Sequence, residues 1–217
     1  MKEHPIIFTS DNAQKIRLGL KNQTRRIVKP QPEIIHIEKH GVPPDVETEY
    51  AAWNSVQGGK FYVKPKYKVG DRLWVKEPWR VHKNYDTLTP SKIEVAMGGD
   101  VIGCIDYMQR TEKFWGKTRN AMFMPRWASR ITLEVVDVRV QRVQDISVDD
   151  VVAEGIDLEG EHALQFAAAE QAGSAGLSCG CRYPEIFPYR KLWDFINGAG
   201  SWERNDHVWA YEFKVIK

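Results

Sequence analysis

The sequence has little of three features that would each have indicated a class of protein. Its 217 residues include only three cysteines, which cannot all pair with one another. A disulfide-rich secreted fold is therefore not expected, and a reducing cytoplasm is the predicted location. No run approaches the roughly 20 apolar residues of a membrane span. The first ten residues, MKEHPIIFTS, also lack the long apolar middle of a secretory signal.

The sequence also has almost no excess of charge of one sign. The formal net charge is only +2, so the surface has no general basic field for wrapping duplex nucleic acid. A nucleic-acid partner is therefore expected to be small, single-stranded or held by a local patch. The sequence has no glycine-rich phosphate loop and no His-Glu-x-x-His pattern, so it gives no case for ATP, a nicotinamide cofactor or a zinc protease.

Hydrophobic periodicity predicts strands that alternate with a few helices. The ends of the helices are predicted from capping residues, from proline in the first turn of a helix and from glycine after its last turn. Strands are predicted at Pro5–Thr9, Thr24–Val28, Arg72–Glu77, Ser129–Val143 and Val208–Val215. Helices are predicted at Ser10–Leu20, Ser147–Gly155, 161–172 and Pro188–Ile196.

Two stretches are predicted to be irregular insertions, at about 30–67 and 82–123, because they are rich in proline or glycine pairs and have little periodicity. A helical segment is expected at about 157–198. The element order favours one α+β domain over residues 1–217. Its expected core is a small, mostly antiparallel barrel with helices on the rim, in which the first and last elements pair.

The first candidate for chemistry is the segment Lys21-Asn22-Gln23-Thr24-Arg25-Arg26. Crowding by Arg25 and Arg26 is expected to disfavour the charged form of Lys21 and to bring its pKa from ~10.4 to about 7–8. A neutral lysine could then deprotonate the Thr24 hydroxyl and make it a nucleophile. The alternative is a phosphate-binding or solvated basic edge, which spacing alone favours because charge runs usually lie on the surface.

Two carboxylates are further candidates. Glu154 falls at the end of a short helix, where the helix dipole mildly disfavours a negative charge. This position fits a general acid that is kept partly protonated, or a plain surface residue, which spacing alone favours. Glu77 falls on the same side of its predicted strand as Leu73 and Val75, so its carboxylate needs a buried partner, for which Arg or Lys is expected.

Two other clusters allow more than one interpretation. An Arg126-Trp127-Ala128-Ser129-Arg130 run could stack a base and hold a phosphate, or it could anchor a loop by cation–π packing. The second set consists of the pair Cys179 and Cys181, with Cys104, His162 and His207 elsewhere in the sequence. Two thiols one residue apart do not form a known zinc knuckle, so free loop cysteines are expected and no metal site is predicted.

Several of these segments together resemble the ASCH domain of the PUA-like superfamily. The resemblance rests on Lys21-x-x-Thr24-x-Arg26 after the first helix, Val69–Glu77, the strand from Ile131, the helix within Asp145–Ile156 and the strand Val208–Lys214. The segment Met124–Arg130 is also similar to segments of prophage-encoded ASCH proteins.

The resemblance implies a PUA-like pseudo-barrel with a cleft for a nucleotide or RNA. Small bacterial members include amidohydrolases that remove the acetyl group of N4-acetylcytidine with a Lys base, a Thr nucleophile and a Glu proton donor. These roles fall on Lys21, Thr24 and Glu154, without a cofactor or metal. Substrate-binding residues are then expected at Arg26, Glu77, Arg126, Trp127 and Arg130.

Two other classes of function stay open from the sequence. The same cleft could hold single-stranded RNA through its arginines without breaking a bond, as a binding module, or it could cleave RNA as a ribonuclease. A phage structural or assembly protein is the second class. The expected partner of the enzyme is a small modified nucleoside, and the sequence predicts no membrane partner.

Overall fold

The computed structural model describes residues 2–32, 34–38, 49–54, 59–96, 105–106, 114–158 and 184–217. The helix predicted at 161–172 and the residues Cys104, His162, Cys179 and Cys181 lie outside these ranges. In the described ranges the chain combines α-helices with β-strands, which confirms the predicted α+β class.

The regular elements are numbered here in chain order. The strands are β1 (Glu3–Ile7), β2 (Gln23–Ile27), β3 (Ile34–Glu38), β4 (Glu49–Asn54), β5 (Gly59–Val63), β6 (Arg72–Lys76), β7 (Arg80–Val81), β8 (Ile105–Asp106), β9 (Thr132–Arg142) and β10 (His207–Val215). The helices are α1 (Ser10–Arg17), α2 (Pro90–Ala96), α3 (Val148–Ala153) and α4 (Phe187–Asn197).

Five strands form the main sheet, in the order β1-β6-β9-β10-β2. β6 pairs antiparallel with β9, and β10 pairs antiparallel with β2. β1 instead runs parallel to β6, with Glu3 opposite Arg72. Since β1 and β2 are the edge strands, the described sheet is open and does not form the small barrel that the sequence predicts. Alternation along a strand identifies the strand but not its partner, so the sequence did not predict that β1 pairs with β6 and not with β10.

Residues 30–67 are not the irregular insertion that the sequence predicts. They contain a second sheet, of the order β3-β4-β5, in which both neighbouring pairs are antiparallel. None of the prolines of this stretch falls within the ranges of β3, β4 and β5, and proline is disfavoured inside a strand because it cannot donate to the ladder. The segment 82–123 likewise contributes α2 and the strand β8, which pairs with β7.

The chain divides into two compact units, and each is described by itself. The first unit comprises Met1–Asn22, Val69–Val136 and Phe213–Lys217, and the second comprises Gln23–Lys68 and Asp137–Glu212. β9 and β10 each contribute residues to both units. The predicted assignment of the whole chain to one domain stays a prediction.

The first unit confirms the predicted alternation of its strands. Leu73 and Val75 of β6 are buried, as are Leu133 and Val135 of β9. The turn predicted before β6 contains Gly70 at a φ of 85°, a conformation that glycine adopts without steric cost. The sequence predicts Ser10 as the N-cap of α1. The cap is instead Thr9, whose hydroxyl accepts the hydrogen bond from the Asn12 amide.

The second unit has helices that begin and end where the sequence predicts. The Ser147 hydroxyl accepts from the Asp150 amide at the start of α3, and Gly155 follows the helix at a φ of 82°. α4 ends at Gly198, also with positive φ. The core of this unit consists of Val143, Ile146, Val151, Ile186, Tyr189, Trp193, Trp202 and Val208.

Candidate active site

Helix α3 of the second unit carries two acidic residues on one side. Asp150 lies in its first turn, and Glu154 is its C-cap residue. Residues four apart on a helix are neighbours on its surface, so the two carboxylates approach the same partner. Glu154 is buried, although glutamate is almost never buried without a partner.

That partner is Arg25 of β2, whose side chain is fully buried. It donates from Nη2 to Oδ2 of Asp150 at 2.7 Å and from Nη1 to Oε1 of Glu154 at 3.0 Å. Nη1 also donates to Oε1 of Gln23 at 2.5 Å. One guanidinium therefore joins two carboxylates and one amide, and charge-assisted hydrogen bonds of this kind are about twice as strong as neutral ones.

Three more contacts complete this group, which we call the Arg25 cluster: Gln23, Arg25, Arg139, Asp150, Glu154 and Tyr189. Gln23 donates from Nε2 to Oδ1 of Asp150 at 3.0 Å. Arg139 of β9 also donates to Oδ1 of Asp150. The ring of Tyr189 in α4 lies under the Arg25 guanidinium, with 5.8 Å from Cζ to the ring centroid, a cation–π geometry.

The cluster changes the acidity of two of its members. Burial raises the pKa of Asp150, but the hydrogen bond from Gln23 and the charges of Arg25 and Arg139 outweigh it, so the net effect lowers that pKa. Burial, followed by the charge of Glu154, raises the pKa of the Tyr189 phenol well above its usual value, against an opposing effect of Arg25. Asp150 is therefore held ionised and Tyr189 is held neutral near pH 7.

Thr24 lies on the other face of β2. Successive side chains of a strand point to opposite faces, and Arg25 points to the face that α3 and α4 cover. Thr24 is opposite Tyr211 in the ladder with β10, so these two side chains share the second face. Thr24 is buried, and Arg26, two residues further along on the same face, is exposed.

Tyr211 is held in a fixed position on the Thr24 face. Its hydroxyl accepts a hydrogen bond from the Lys66 amide at 3.1 Å, and its ring packs edge-on against Tyr67 at 5.2 Å between centroids. Burial raises the pKa of Tyr211 to about 12, so it stays a neutral phenol. The phenol can support a neighbouring polar group but cannot act as an anionic base near neutral pH.

The backbone of β2 has a free edge. Phe213 donates to the Asn22 carbonyl, and Val28 donates to the His207 carbonyl, at 2.9 and 3.0 Å. Between Asn22 and Val28, the backbone N–H and C=O groups of Thr24 and Arg26 therefore point to β10. Arg25 lies between them in the sequence, so its N–H points the opposite way. Because β2 is an edge strand of the described sheet, the Arg25 N–H points away from the sheet.

Lys21, the predicted base, belongs to the first unit. It follows α1 and precedes β2, and it is buried. Burial of a lysine is uncommon. Its role as the base stays a prediction.

Two of the predicted substrate-binding residues, Glu77 and Arg130, bind each other in the first unit. Arg130 donates from Nε to one oxygen of Glu77 at 2.7 Å and from Nη2 to the other at 2.8 Å. Glu77 is fully buried, and the Sδ of Met124 accepts from its backbone amide at 3.3 Å. The prediction that Glu77 points inward and needs a basic partner is confirmed, and both of its oxygens are used by that partner.

The two other residues of the predicted Arg–Trp–Arg run also contact the protein itself. Arg126 donates to a carboxylate oxygen of Glu3 at 3.1 Å. Trp127 packs edge-on against Trp79, with 5.8 Å between the ring centroids and an interplanar angle of 89°. Trp79 belongs to a buried apolar cluster that Trp127 covers. These contacts favour the loop-anchoring interpretation of the run over base stacking.

The side chains of Gln23, Arg25 and Asp150 were not among the predicted site residues. The sequence carried a signal for them, namely two acids four residues apart on one helix and two polar residues with strand alternation in β2. What joins them is a contact across 125 residues of sequence, which no local pattern reports. Sequence reasoning therefore did not predict the contact between Arg25 and Glu154.

Two absences apply to the described part of the chain. Among the described residues, no group of three or more His, Cys, Asp or Glu side chains is arranged to hold a metal ion. Within the same ranges, no helix has both the length and the apolar character that a membrane crossing requires.

Comparisons with known proteins give one structural similarity. No protein-family model matches the sequence, and no curated protein matches it. A crystal structure of an ASCH domain from Lactobacillus crispatus JV V101 is similar over 99% of this chain and 79% of that chain, with 12% sequence identity and a TM-score of 0.35.

Proposed function

We propose that the protein is an amidohydrolase that removes the acyl group from N4-acylated cytosine nucleosides such as N4-acetylcytidine. One observation carries the proposal: the three residues to which the sequence motifs assign chemistry, Lys21, Thr24 and Glu154, are only 4%, 5% and 7% exposed. Lysine and glutamate are rarely buried, since burial of a charge is costly. Buried ionisable side chains of this kind mark a candidate functional site.

The first step is acylation of Thr24. Neutral Lys21 takes the proton of the Thr24 hydroxyl, and the oxygen attacks the carbonyl carbon of the exocyclic amide. The bond from this carbon to N4 then breaks, and Glu154 gives its proton to the departing N4. The products of this step are cytidine, an acyl ester on Thr24, the Lys21 ammonium and the Glu154 carboxylate.

The second step is hydrolysis of the ester. The Glu154 carboxylate takes a proton from water, and the hydroxide attacks the acyl carbon. The bond to the Thr24 oxygen breaks, and the Lys21 ammonium returns its proton to that oxygen. The carboxylic acid leaves, and all three residues regain their starting protonation states.

The transition states of both steps carry a negative charge on the former carbonyl oxygen. The backbone N–H of Arg25 directly follows Thr24 and, by the alternation of β2, points away from β10; we propose that it donates to this oxygen. Arg26 lies on the face of Thr24 and is exposed, which makes it a candidate contact for the nucleoside.

The two faces of β2 set a geometric requirement for this mechanism. Thr24 lies on one face, and Arg25 holds Glu154 from the other face. Because β2 is an edge strand, a substrate at its free edge can meet groups from both faces. We therefore propose that the scissile amide binds along this edge.

The test is release of cytidine from N4-acetylcytidine by the purified protein. We expect turnover by the wild type and loss of at least about 10³-fold in Lys21→Ala and Thr24→Ala, because each removes a member of a unit that acts together. Thr24→Ser should retain part of the activity. Thr132→Ala is the matched control, since Thr132 is also a buried threonine of a strand, but it lies in β9.

An RNA- or nucleotide-binding module without turnover is the alternative outcome. Binding of single-stranded RNA would weaken steeply as salt is raised and would survive Thr24→Ala. The observed contacts do not favour this alternative, because Arg25, Arg126 and Arg130 each bind a carboxylate of the protein itself. A wild type that binds RNA and releases no cytidine would overturn the proposed function.

A further inference from the structure

We propose that Asp150 is a positioning residue of the site: with Gln23 and Arg25 it forms a triangle of hydrogen bonds that fixes strand β2 on both sides of Thr24. The inference rests on the proposed function, because it assigns this triangle a part in the reaction of Thr24. Neither of the two proposed steps uses the side chains of the triangle, so their role is an additional one.

The triangle is closed, because each of its three members contacts the other two. Oδ1 of Asp150 accepts from Nε2 of Gln23 at 3.0 Å, and Oδ2 accepts from Nη2 of Arg25 at 2.7 Å. Nη1 of Arg25 donates to Oε1 of Gln23 at 2.5 Å. One carboxylate therefore holds two side chains of β2 with its two oxygens, and these side chains also hold each other.

The triangle lies directly behind Thr24. Gln23 and Arg25 are the residues before and after it in β2, and because side chains alternate along a strand, both are on the face opposite to that of Thr24. Fixing both neighbours fixes the two peptide units that join them to Thr24. One of these units carries the Arg25 N–H, the proposed donor to the oxyanion. The nucleophile and this donor are therefore held by the same three hydrogen bonds.

An edge strand needs such support more than a central strand does. In the described sheet β2 pairs with β10 on one side only, so no second ladder restrains it there. Asp150 supplies a restraint from another direction. It lies in the first turn of α3, where its amide donates to the Ser147 hydroxyl, and its Oδ1 also accepts from Arg139 of β9. The carboxylate thereby joins β2 to α3 and to β9.

The charged form of Asp150 is what allows one side chain to accept from several donors. Asp150 is ionised near pH 7, so its carboxylate only accepts hydrogen bonds. An asparagine has nearly the same size, but its amide nitrogen is a donor and would face a donor of Gln23 or Arg25. Asp150→Asn is therefore expected to open the triangle with little change in volume.

The experiment compares Asp150→Asn and Gln23→Met with wild type and with Asp194→Asn. Asp194 is the matched control, since it is an acid of α4 in the same unit. Its Oδ1 accepts from the Ser201 hydroxyl at 2.9 Å and from the Trp202 amide at 2.8 Å, and neither of these partners belongs to β2.

Two measurements are made at a temperature at which every variant is folded. Steady-state kinetics with N4-acetylcytidine give kcat and KM. NMR hydrogen exchange of the Thr24 backbone amide, without any substrate, reports how often β2 opens locally from β10. The second measurement does not require turnover, so it tests the triangle independently of the reaction.

In Asp150→Asn we expect kcat to fall by about 100-fold, the cost of a reacting group misplaced by about 1 Å, with KM changed by less than about threefold. Exchange of the Thr24 amide should be faster by at least about tenfold, because local opening becomes easier. Gln23→Met removes two sides of the triangle and keeps the ion pair of Asp150 with Arg25, so kcat should fall by about tenfold. Asp194→Asn should lower stability but match wild type in kcat and in Thr24 exchange.

The double variant separates positioning from general weakening. If Asp150 and Gln23 act through one triangle, the double variant should lose little more kcat than Asp150→Asn alone, because substitutions within one hydrogen-bond network are not additive. Independent effects would instead multiply to a loss of about 1,000-fold, and that result would contradict the inference.

An unchanged kcat in a folded Asp150→Asn protein would overturn the inference, as would a loss confined to KM, an unchanged exchange rate at Thr24 or an equal loss of kcat in Asp194→Asn. If Asp150→Asn does not fold, Gln23→Met decides by the same criteria. A wild type without turnover would overturn the proposed function, and Thr24 exchange in the variants would still decide whether the triangle fixes β2.

Discussion

The two units each bury an arginine–carboxylate site, and the two sites are built differently. In the first unit Arg130 binds both oxygens of Glu77, so one cation contacts one anion twice. In the second unit Arg25 binds one oxygen each of Asp150 and Glu154, and Arg139 also binds Asp150, so the cations and anions form a network.

This difference indicates which site can take part in chemistry. Removal of one partner of a buried ion pair leaves an uncompensated buried charge. Groups in one hydrogen-bonded network respond to a change in one another. We therefore expect changes at Glu77 to appear mainly in stability, and changes in the Arg25 cluster to appear in turnover and in pH dependence.

The largest effect on stability is expected from Glu77→Gln. The substitution keeps the size of the side chain but leaves Arg130 without its counter-charge, which should cost about 3–5 kcal/mol. Urea unfolding measures the loss. The double variant Glu77→Met with Arg130→Met should regain much of it, because a buried ion pair replaced by apolar residues is often neutral. A single variant as stable as wild type would remove the contrast between the two sites.

A smaller and pH-dependent effect is expected from Asp150→Asn. The pKa of Asp150 is lowered in the folded protein, so its ionised form stabilises the fold. That contribution is complete above the unfolded pKa of ~3.9 and is lost as the pH falls through the lower folded value. We expect a loss of about 1–3 kcal/mol at pH 7 that shrinks toward zero at the lowest pH at which wild type stays folded. An equal loss at every pH would show that the charge of Asp150 does not matter.

His207 is expected to have a weaker effect on stability. The folded protein favours the neutral form of His207, whereas it favours the charged form of Asp150. Burial, followed by the charge of Arg142, lowers its pKa from the usual 6.5, and its Nδ1 lies 3.1 Å from the Pro32 carbonyl. Protonation therefore destabilises the fold, so wild-type stability should fall as the pH drops from about 6.5 through the folded value. His207→Asn should flatten this slope in thermal unfolding between pH 5 and 7, whereas an unchanged slope would assign it to another group.

The smallest effect is expected from Arg126→Ala. Its partner Glu3 is on the surface, and exposed ion pairs contribute little to stability. We expect no measurable change in the urea midpoint. A clear loss would mean that the ion pair organises the loop around Trp127, and the contrast between buried and exposed pairs would then need revision.

The sequence predicted those parts of the fold that depend on near neighbours. Alternation placed Leu73 and Val75 inward, Ser147 marked the start of α3, and Gly198 marked the end of α4. The need of Glu77 for a basic partner followed from its inward position. Each of these depends on the character of a few adjacent residues, so a local pattern is enough.

The parts that were missed depend on distant pairing. β1 lies beside β6, with Glu3 opposite Arg72, and no periodicity reports which strands will pair. The second sheet was missed because prolines and a glycine pair lie close to its strands in the sequence. Arg25 was predicted as one cation of a basic run, and its burial against α3 became visible only in three dimensions. The motif predicts Thr24 as the nucleophile and Glu154 as the acid, and it did not predict that Arg25 binds Glu154.

The most direct test of the account is detection of an acyl group on Thr24. Glu154→Gln should slow the second step more than the first, so a brief incubation with an activated acyl-cytidine followed by acid quench should trap the ester. We predict that mass spectrometry of the digested protein finds the mass of one acyl group on the peptide that contains Thr24, and finds none in Thr24→Ala. Cytidine release without such a modification, or the same modification in Thr24→Ala, would contradict Thr24 as the nucleophile.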